Sequence, residues 1–261
     1  MKFFSAIFLA VMLVICPPDA FAQSAAQKGE AIARAASTSG NGFGDSTAEG
    51  EMILYSQAGR QSVRRFVSRS LESRGRDPAA NLIVFEWPGD VRNTALLTHA
   101  FDEKTDDQWL FLPSIGRVKR ISSSARSGSF MGSEFAFEDM VDQGLDEYRH
   151  VWERDEACPN GAGRCHVLER IPVRPSGYSR ELVWLNQDNY NLHRVQYFDR
   201  GGRHIKTLDV TGYRQYRGRF WRPSLLRMQN HLTGKRTDLK WSNFQFGVGL
   251  TMQDFSVQRL R

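Results

Sequence analysis

The sequence predicts a mainly β protein of the α+β kind, built on one large antiparallel sheet that curves strongly or closes partway into a barrel. Three observations predict it. From Glu49 onward apolar and polar residues alternate with a period of two, the spacing that sends successive side chains to opposite faces of a strand. Turn-forming sequences recur every ten to fourteen residues. Helix composition is confined to the stretch before Glu49, so the strands follow one another without crossover helices and must pair antiparallel. About a dozen such strands make a sheet wide enough to curl on itself.

The elements follow in order. Residues 1–22 read as a secretory leader: Lys2 gives the positive start, Phe3 to Ile15 is apolar apart from Ser5, and Ala20-Phe21-Ala22 fits a cut after Ala22. The apolar run falls short of the roughly 20 residues of a spanning helix. Cys16 follows the bulky Ile15, where lipid attachment would want a small residue, and it leaves with the leader. Residues 23–261 then form a single domain, exported to the periplasm.

Gln23 to Ser37 is Ala-rich, with Ile32, Ala33, Ala35 and Ala36 on one side, and predicts a helix. The loop Ser39 to Asp45 contains a GxGxG pattern. No strand precedes it, so it lacks the context of a nucleotide-binding turn. Strands are predicted around Met52 and Leu54, over Val63–Ser70, and over Asn81–Trp87, where Ile83, Phe85 and Trp87 share a face. Pro88-Gly89-Asp90 turns the chain into Arg92–Thr98. The acidic turn Asp102–Asp107 lacks the central Gly and final Glu of a calcium loop, with Pro113 at the last position, and reads as a hairpin.

Gln108–Leu112 and Arg117–Ile121 are two further strands. Later strands are predicted over His166–Ile171, Arg180–Leu185, Leu192–Asp199, His204–Tyr216, Phe220–Leu232 and Arg236–Phe246, separated by Asn-, Gly- and Pro-rich turns. The six tryptophans fall in different strands, so curvature would bring several of them toward one concave face, as core or as cavity lining.

The segment from Asp107 to Met140 is unusual. After its two strands it becomes rich in Ser and Gly, yet it carries Phe130, Met131, Phe135 and Phe137. A plain surface loop would be polar. Large apolar side chains on such a backbone predict a surface that opens, closes or holds something apolar.

Charge and cysteines narrow the partners. The chain carries +6, unchanged by loss of the leader with its one Lys and one Asp. Export makes nucleic acid the wrong partner; anionic lipid head groups or an acidic protein suit the basic stretches Arg64-Arg65, Arg117–Arg120, Arg217–Arg222 and Lys235-Arg236. Cys158 and Cys165 flank a turn-rich hexapeptide and predict a small disulfide loop in an oxidising compartment. With only His166 nearby they lack the ligands for a metal.

No catalytic set emerges. GxSxG and HExxH are absent, and the six histidines stand singly at 99, 150, 166, 193, 204 and 231. Ser122–Ser124 and Ser127 have no local base. Glu138-Asp139 reads as a surface pair or the start of a short helix running to Leu145. No catalytic residue, cofactor or metal is expected.

Particular blocks carry a resemblance. They are Gly42-Phe43-Gly44-Asp45, Ala95–His99, Asp107–Pro113, Arg117–Ile121, Ser127–Phe135, Gly177–Arg180, Tyr197-Phe198-Asp199, Trp221-Arg222-Pro223, Asn230-His231 and Thr233-Gly234-Lys235. Together they resemble the outer membrane lipoprotein-sorting protein family, the LolA/LolB-like group of Gram-negative bacteria. The resemblance runs over essentially the whole mature chain. It implies a highly curved antiparallel sheet forming an incomplete barrel, with helices covering the open side and an apolar cavity for acyl chains. It also implies work beside inner-membrane exporters of the resistance–nodulation–division type. The chain is longer than the true lipoprotein carriers, and its 121–137 segment and disulfide hairpin depart from their pattern, so the cargo does not carry over.

On this reading the protein is a periplasmic carrier or acceptor of a lipid or lipidated protein on its way to the outer membrane. It acts by shielding, since a chain of about 16 carbons needs roughly 10 kcal/mol of apolar shelter. Phe85, Trp87, Leu97, Trp109 and Phe111 are expected to line the cavity. Phe130, Met131, Phe135 and Phe137 are expected to gate it. Arg117, Lys119 and Arg120 are expected to meet head groups, a docking partner or, transiently, the membrane surface. Two other classes compete. One is an accessory subunit of an exporter, or a lipid-sensing regulator, without net transfer. The other is a hydrolase using Ser129 or His166.

Overall fold

The computed structural model describes residues 24–101, 104–141 and 144–260. The leader 1–22 with its cut after Ala22, and Asp102 and Glu103 of the acidic turn, lie outside the described residues.

Helix α1 spans Ala25–Ser39, two residues later than predicted at each end. Ser24 explains the start: its hydroxyl accepts from the Gln27 amide while the Gln27 side chain accepts from the Ser24 amide, a capping box. The helix lies across strand β7 (Tyr148–Ala157), and Gly29 sets the distance. A β-carbon there would stand 2.6 Å from the carbonyl oxygen of His150.

Six strands precede the long crossing: β1 (Asp45–Tyr55), β2 (Gln61–Leu71), β3 (Ala79–Trp87), β4 (Ala95–Ala100), β5 (Asp107–Leu112) and β6 (Arg117–Arg120). After it, β7 begins a second series: β8 (Arg164–Pro172), β9 (Arg180–Asn186), β10 (Leu192–Phe198) and β11 (His204–Thr211). The series continues with β12 (Arg214–Tyr216), β13 (Phe220–Arg222), β14 (Leu225–Asn230) and β15 (Arg236–Phe246). The order across the main sheet is β6-β5-β4-β3-β2-β1-β15-β14-β11-β10-β9-β8-β7, antiparallel at every pairing. The sheet is strongly curved and does not close: β6 and β7 are its two free edges.

This topology explains the odd segment. The chain starts in the middle of the sheet, meanders to the β6 edge, and must then reach the β7 edge. Residues 121–141 and 144–147 belong to that crossing and lie over the concave face. Its inward side chains therefore meet apolar surface, while its changes of direction need short 3-10 turns at Ser123–Ala125, Phe130–Gly132, Phe137–Met140 and Leu145–Glu147. Ser and Gly supply the turns; the phenylalanines supply the burial.

Three predicted strands are corrected. His204–Tyr216 is broken at Gly212, which adopts φ +70°, so β12 leaves the main sheet. Phe220–Leu232 is broken at Pro223-Ser224, and β12 and β13 form their own two-stranded ribbon. Arg92–Thr98 begins only at Ala95, because the preceding residues form a turn with Asn93 at φ 63°. Trp87 does not share the face of Phe85. Phe85 pairs with Phe66 and Trp87 with Arg65, so a bulge at Glu86 sends Trp87 to the other side.

Alternation sorts the core. The main cluster fills the concave side: Ile32 and Ala33 of α1, Phe130, Phe135 and Phe137 of the crossing, and Met52, Phe66, Ile83, Phe85, Leu96, Leu168, Val195, Met228 and Leu239 of the sheet. A smaller cluster, Leu71, Ala80, Leu82, Ala95 and Leu97, lies on the outer face beneath Phe255 and Leu260 of the C-terminal turns. The predicted disulfide joins Cys158 to Cys165 across the β7–β8 hairpin, over Val167 and Trp184.

Candidate functional site: a cavity at one end of the concave face

The crossing covers only part of the concave face. Phe130 packs on Phe85 with ring centroids 5.9 Å apart, and on Phe137 at 5.6 Å. Beneath them Phe66 meets Phe85 at 5.6 Å and Trp241 at 5.2 Å, over the bare backbone of Gly50. Toward the end of the sheet where β1 and β3 begin, the inward positions shrink and turn polar. One cross-strand row reads Ala48, Ser68, Ile83, Leu96 and Leu110; the next reads Ser46, Ser70, Asn81, Thr98 and Gln108. Small side chains fill less space, and a cavity of about 990 Å³ remains.

Its walls come from several elements. Ala36, Ser37 and Ser39 come from the last turn of α1 and Gly40 to Phe43 from the loop after it; Phe135, Asp139, Met140 and Leu145 belong to the crossing; Tyr190, Tyr213, Trp221, Trp241 and Phe244, with Leu192, form a mostly aromatic side. Asn81 donates to Ser70 at 2.9 Å and to Ser68 at 3.1 Å. The Thr98 hydroxyl, on a side chain only 2% exposed, has no hydrogen-bond partner among the described residues. Asp106 accepts from the Phe101 amide through one oxygen. Its other oxygen stands 3.6 Å from Arg126, too far for a hydrogen bond.

Both cavity aspartates are lifted by burial. Asp106 is pushed up to about 6, against the Phe101 hydrogen bond and the Arg126 charge. Asp139 is pushed up to about 7, against Lys206 and the Ala136 amide.

The crossing is pinned as well as packed. Gln108 donates to the Phe137 carbonyl at 2.9 Å, Lys206 to the Glu134 carbonyl at 2.9 Å, and the Glu134 amide to the Thr237 hydroxyl at 3.0 Å. Arg64 reaches the Met131 carbonyl. Ser176 donates to Glu138 at 2.7 Å, and Tyr178 to Asp139 at 3.1 Å.

The residues expected to line a cavity are therefore divided. Phe85, Phe130, Phe135, Phe137 and the half-buried Met131 meet on the concave face, but of these only Phe135 borders the cavity. Leu97, Trp109 and Phe111 lie on the outer face, because Leu96 and Leu110 take the inward positions beside them. Phe111 borders a second recess there, of about 720 Å³, under Leu250 and Leu260. Trp87 is 46% exposed, beneath the guanidinium of Arg65. Arg117 and Lys119 are exposed on edge strand β6, on the face of Leu112 and Leu110; Arg120 is on the other face and pairs with Asp107. The sequence marks Trp221 and Trp241 among the six tryptophans that curvature could bring to a cavity, and it does not single out the polar floor residues. Their signal is positional: small polar residues fall at the same end of four successive strands, which shows only once the register is known. Among the described residues no group of three or more His, Cys, Asp or Glu side chains is placed to hold a metal.

An open, strongly curved antiparallel sheet, crossed on its concave side by a helix and a buried connection that leave a cavity, defines a LolA-like fold. Comparison agrees. A LolA superfamily protein from Nitrosomonas europaea, 20% identical, superposes with a TM-score of 0.70 over 88% of this chain and 98% of its own. A DUF1329 family protein from Desulfovibrio piger is 29% identical, with a TM-score of 0.85 over 91% of this chain and 100% of its own. An outer membrane lipoprotein-sorting protein domain from Vibrio parahaemolyticus is 43% identical, with a TM-score of 0.86 over 90% of this chain and 99% of its own. A family model described as uncharacterized protein matches residues 77–261. No curated protein matches the chain. The chain belongs to the outer membrane lipoprotein-sorting protein family.

Proposed function

We propose that this protein is a periplasmic carrier or acceptor that shelters the apolar part of a lipid or lipidated protein on its way to the outer membrane. The observation that carries this reading is the 990 Å³ cavity on the concave face of a LolA-like sheet. Phe130, Met131, Phe135 and Phe137 then act as the gate: moving the crossing away from Phe66 and Phe85 would extend the cavity along the apolar rows. Contact with the membrane falls at the opposite end of the sheet, where Arg117 and Lys119 stand beside the exposed Ile115. Of the outer-face residues Leu97, Trp109 and Phe111, Phe111 borders the outer recess and would meet cargo there.

One observation favours a second reading. The crossing is held by hydrogen bonds along its length, which suits a regulator or exporter subunit that binds without net transfer. A transfer assay separates the two. The freshly purified protein is examined by native mass spectrometry for bound lipid, then mixed with labelled donor and unlabelled acceptor vesicles. A carrier co-purifies with lipid and moves label between vesicles. Bound lipid without transfer favours the second reading, and neither overturns both.

A further inference from the structure

The cavity's chemistry is more selective than shelter for an acyl chain requires. Its floor is a row of hydroxyl and amide groups, and Thr98, beside Asn81 in that row, is buried with its hydroxyl unpartnered among the described residues. Asn81, Ser68 and Ser70 satisfy one another, but a methylene chain laid on that floor would leave the Thr98 hydroxyl without a hydrogen bond, and a buried polar group left so is costly. The charged side chains at the cavity wall are Glu72, Asp106, Asp139 and Arg222, three acids to one base. Behind them Arg126 stands 3.6 Å from Asp106 and Lys206 acts on Asp139, so the surround is near charge balance and a charged head of either sign would be desolvated without a counter-charge of its own. The facing wall of Tyr213, Trp221 and Trp241 offers flat apolar surface to the carbon skeleton of a ligand whose edges carry hydroxyls.

We propose that the cavity receives an amphiphile head first, that this head is uncharged and bears hydroxyl groups, and that Thr98, Asn81 and Asp106 hold it. The proposal rests on the carrier reading and adds the class of ligand. Asp106 Oδ2 accepts from a ligand hydroxyl, and Thr98 donates to or accepts from a second. The head's carbon skeleton lies on the aromatic wall, and the apolar tail points toward the crossing. Burial lifts Asp106 and Asp139, so part of each population is neutral near pH 7 and can itself donate.

Isothermal titration of the mature protein with three probes of equal chain length tests this: decyl maltoside, decyl phosphate and decyltrimethylammonium, each below its micellar concentration. Decyl maltoside is expected to bind about tenfold or more tightly than either charged probe. Thr98→Val is expected to weaken decyl maltoside about tenfold and leave the charged probes unchanged, while Thr98→Ser restores it. Circular dichroism melts of both variants show that they fold. Equal binding of all three probes, preference for a charged one, or full maltoside affinity in Thr98→Val overturns the head-group assignment and leaves the carrier reading standing. Binding of none of the three by folded wild-type protein overturns both.

Discussion

Gln108 and Phe137 are joined by a hydrogen bond that ties the crossing to the sheet it covers. The Gln108 side chain, 1% exposed, donates to the Phe137 carbonyl at 2.9 Å. Gln108 pairs across the sheet with Thr98 of the cavity floor, so the strand that flanks the floor also fixes the lid. Gln108→Leu leaves a buried carbonyl unpartnered, which costs about 1–3 kcal/mol. The expected outcome is a lower urea midpoint with an unchanged m-value. Amides of residues 128–140 should exchange faster than those of β8 to β11. Uniform loss of protection would mean that the bond serves the whole domain equally.

Asp139 makes the hold of the crossing depend on pH. Its carboxyl titrates near 7 when folded and near 3.8 when not, because burial disfavours the charge. The folded protein keeps a proton that the unfolded chain has released, so this stabilisation is full below about 3.8, falls progressively as pH rises, and is gone once pH has passed about 7. Asp106 acts in the same direction nearer pH 6. The lowered pKa values of His150, His193 and His204 matter below 6.5. Between pH 6.5 and 8.5 the wild type should therefore lose about 1 kcal/mol that Asp139→Asn does not. Paired thermal melts at both pH values check this; parallel slopes for the two proteins would rule it out.

The period-two pattern made the strands and their antiparallel pairing legible, since alternation is a local property. Faces near a bulge were not: one extra residue at Glu86 reversed Trp87, and nothing in the sequence marks it. Leu96 and Leu97 are both apolar, so their pattern does not say which one points inward. The crossing was visible as greasy and turn-rich. Its meaning depends on the chain leaving one sheet edge and re-entering at the other, a global fact. The polar floor was hidden for the same reason, because Ser46, Ser70, Asn81 and Thr98 become one row only through the register of four strands.

Glu181 is fully buried on β9 and paired with Arg170 of β8, which also lies against the Tyr148 ring. Glu181→Gln leaves the guanidinium buried without its counter-charge, at a cost of about 3–5 kcal/mol. Replacing both, Arg170→Met with Glu181→Leu, removes the two desolvation costs together and should recover most of the loss. A double-mutant cycle by chemical denaturation measures the coupling. Additive costs would show that the two charges are solvated separately.

The end of the sheet opposite the cavity carries an unusual surface. Ile115 in the β5–β6 turn is 60% exposed, Leu232 in the β14–β15 turn 59%, and Val173 just after β8 52%, and Trp87 ends β3 on the same rim. Turn tips are ordinarily polar, and none of these four side chains joins a core cluster of the described residues. Arg60, Arg65, Arg92, Arg117, Arg200 and Lys235 are exposed around them, against Glu86, Asp90 and Asp146. Apolar tips set among cations suit shallow insertion into an anionic bilayer, where each nearby cation adds about 1 kcal/mol. Co-sedimentation with vesicles containing phosphatidylglycerol should show binding that weakens as salt rises. Ile115→Ser with Leu232→Ser, removing about 1 kcal/mol of insertion each, should lower partitioning roughly tenfold or more. Val248→Ser, at the opposite end of the sheet, should leave it unchanged. Equal binding to neutral vesicles, or an equal loss in Val248→Ser, would place the membrane contact elsewhere on the molecule.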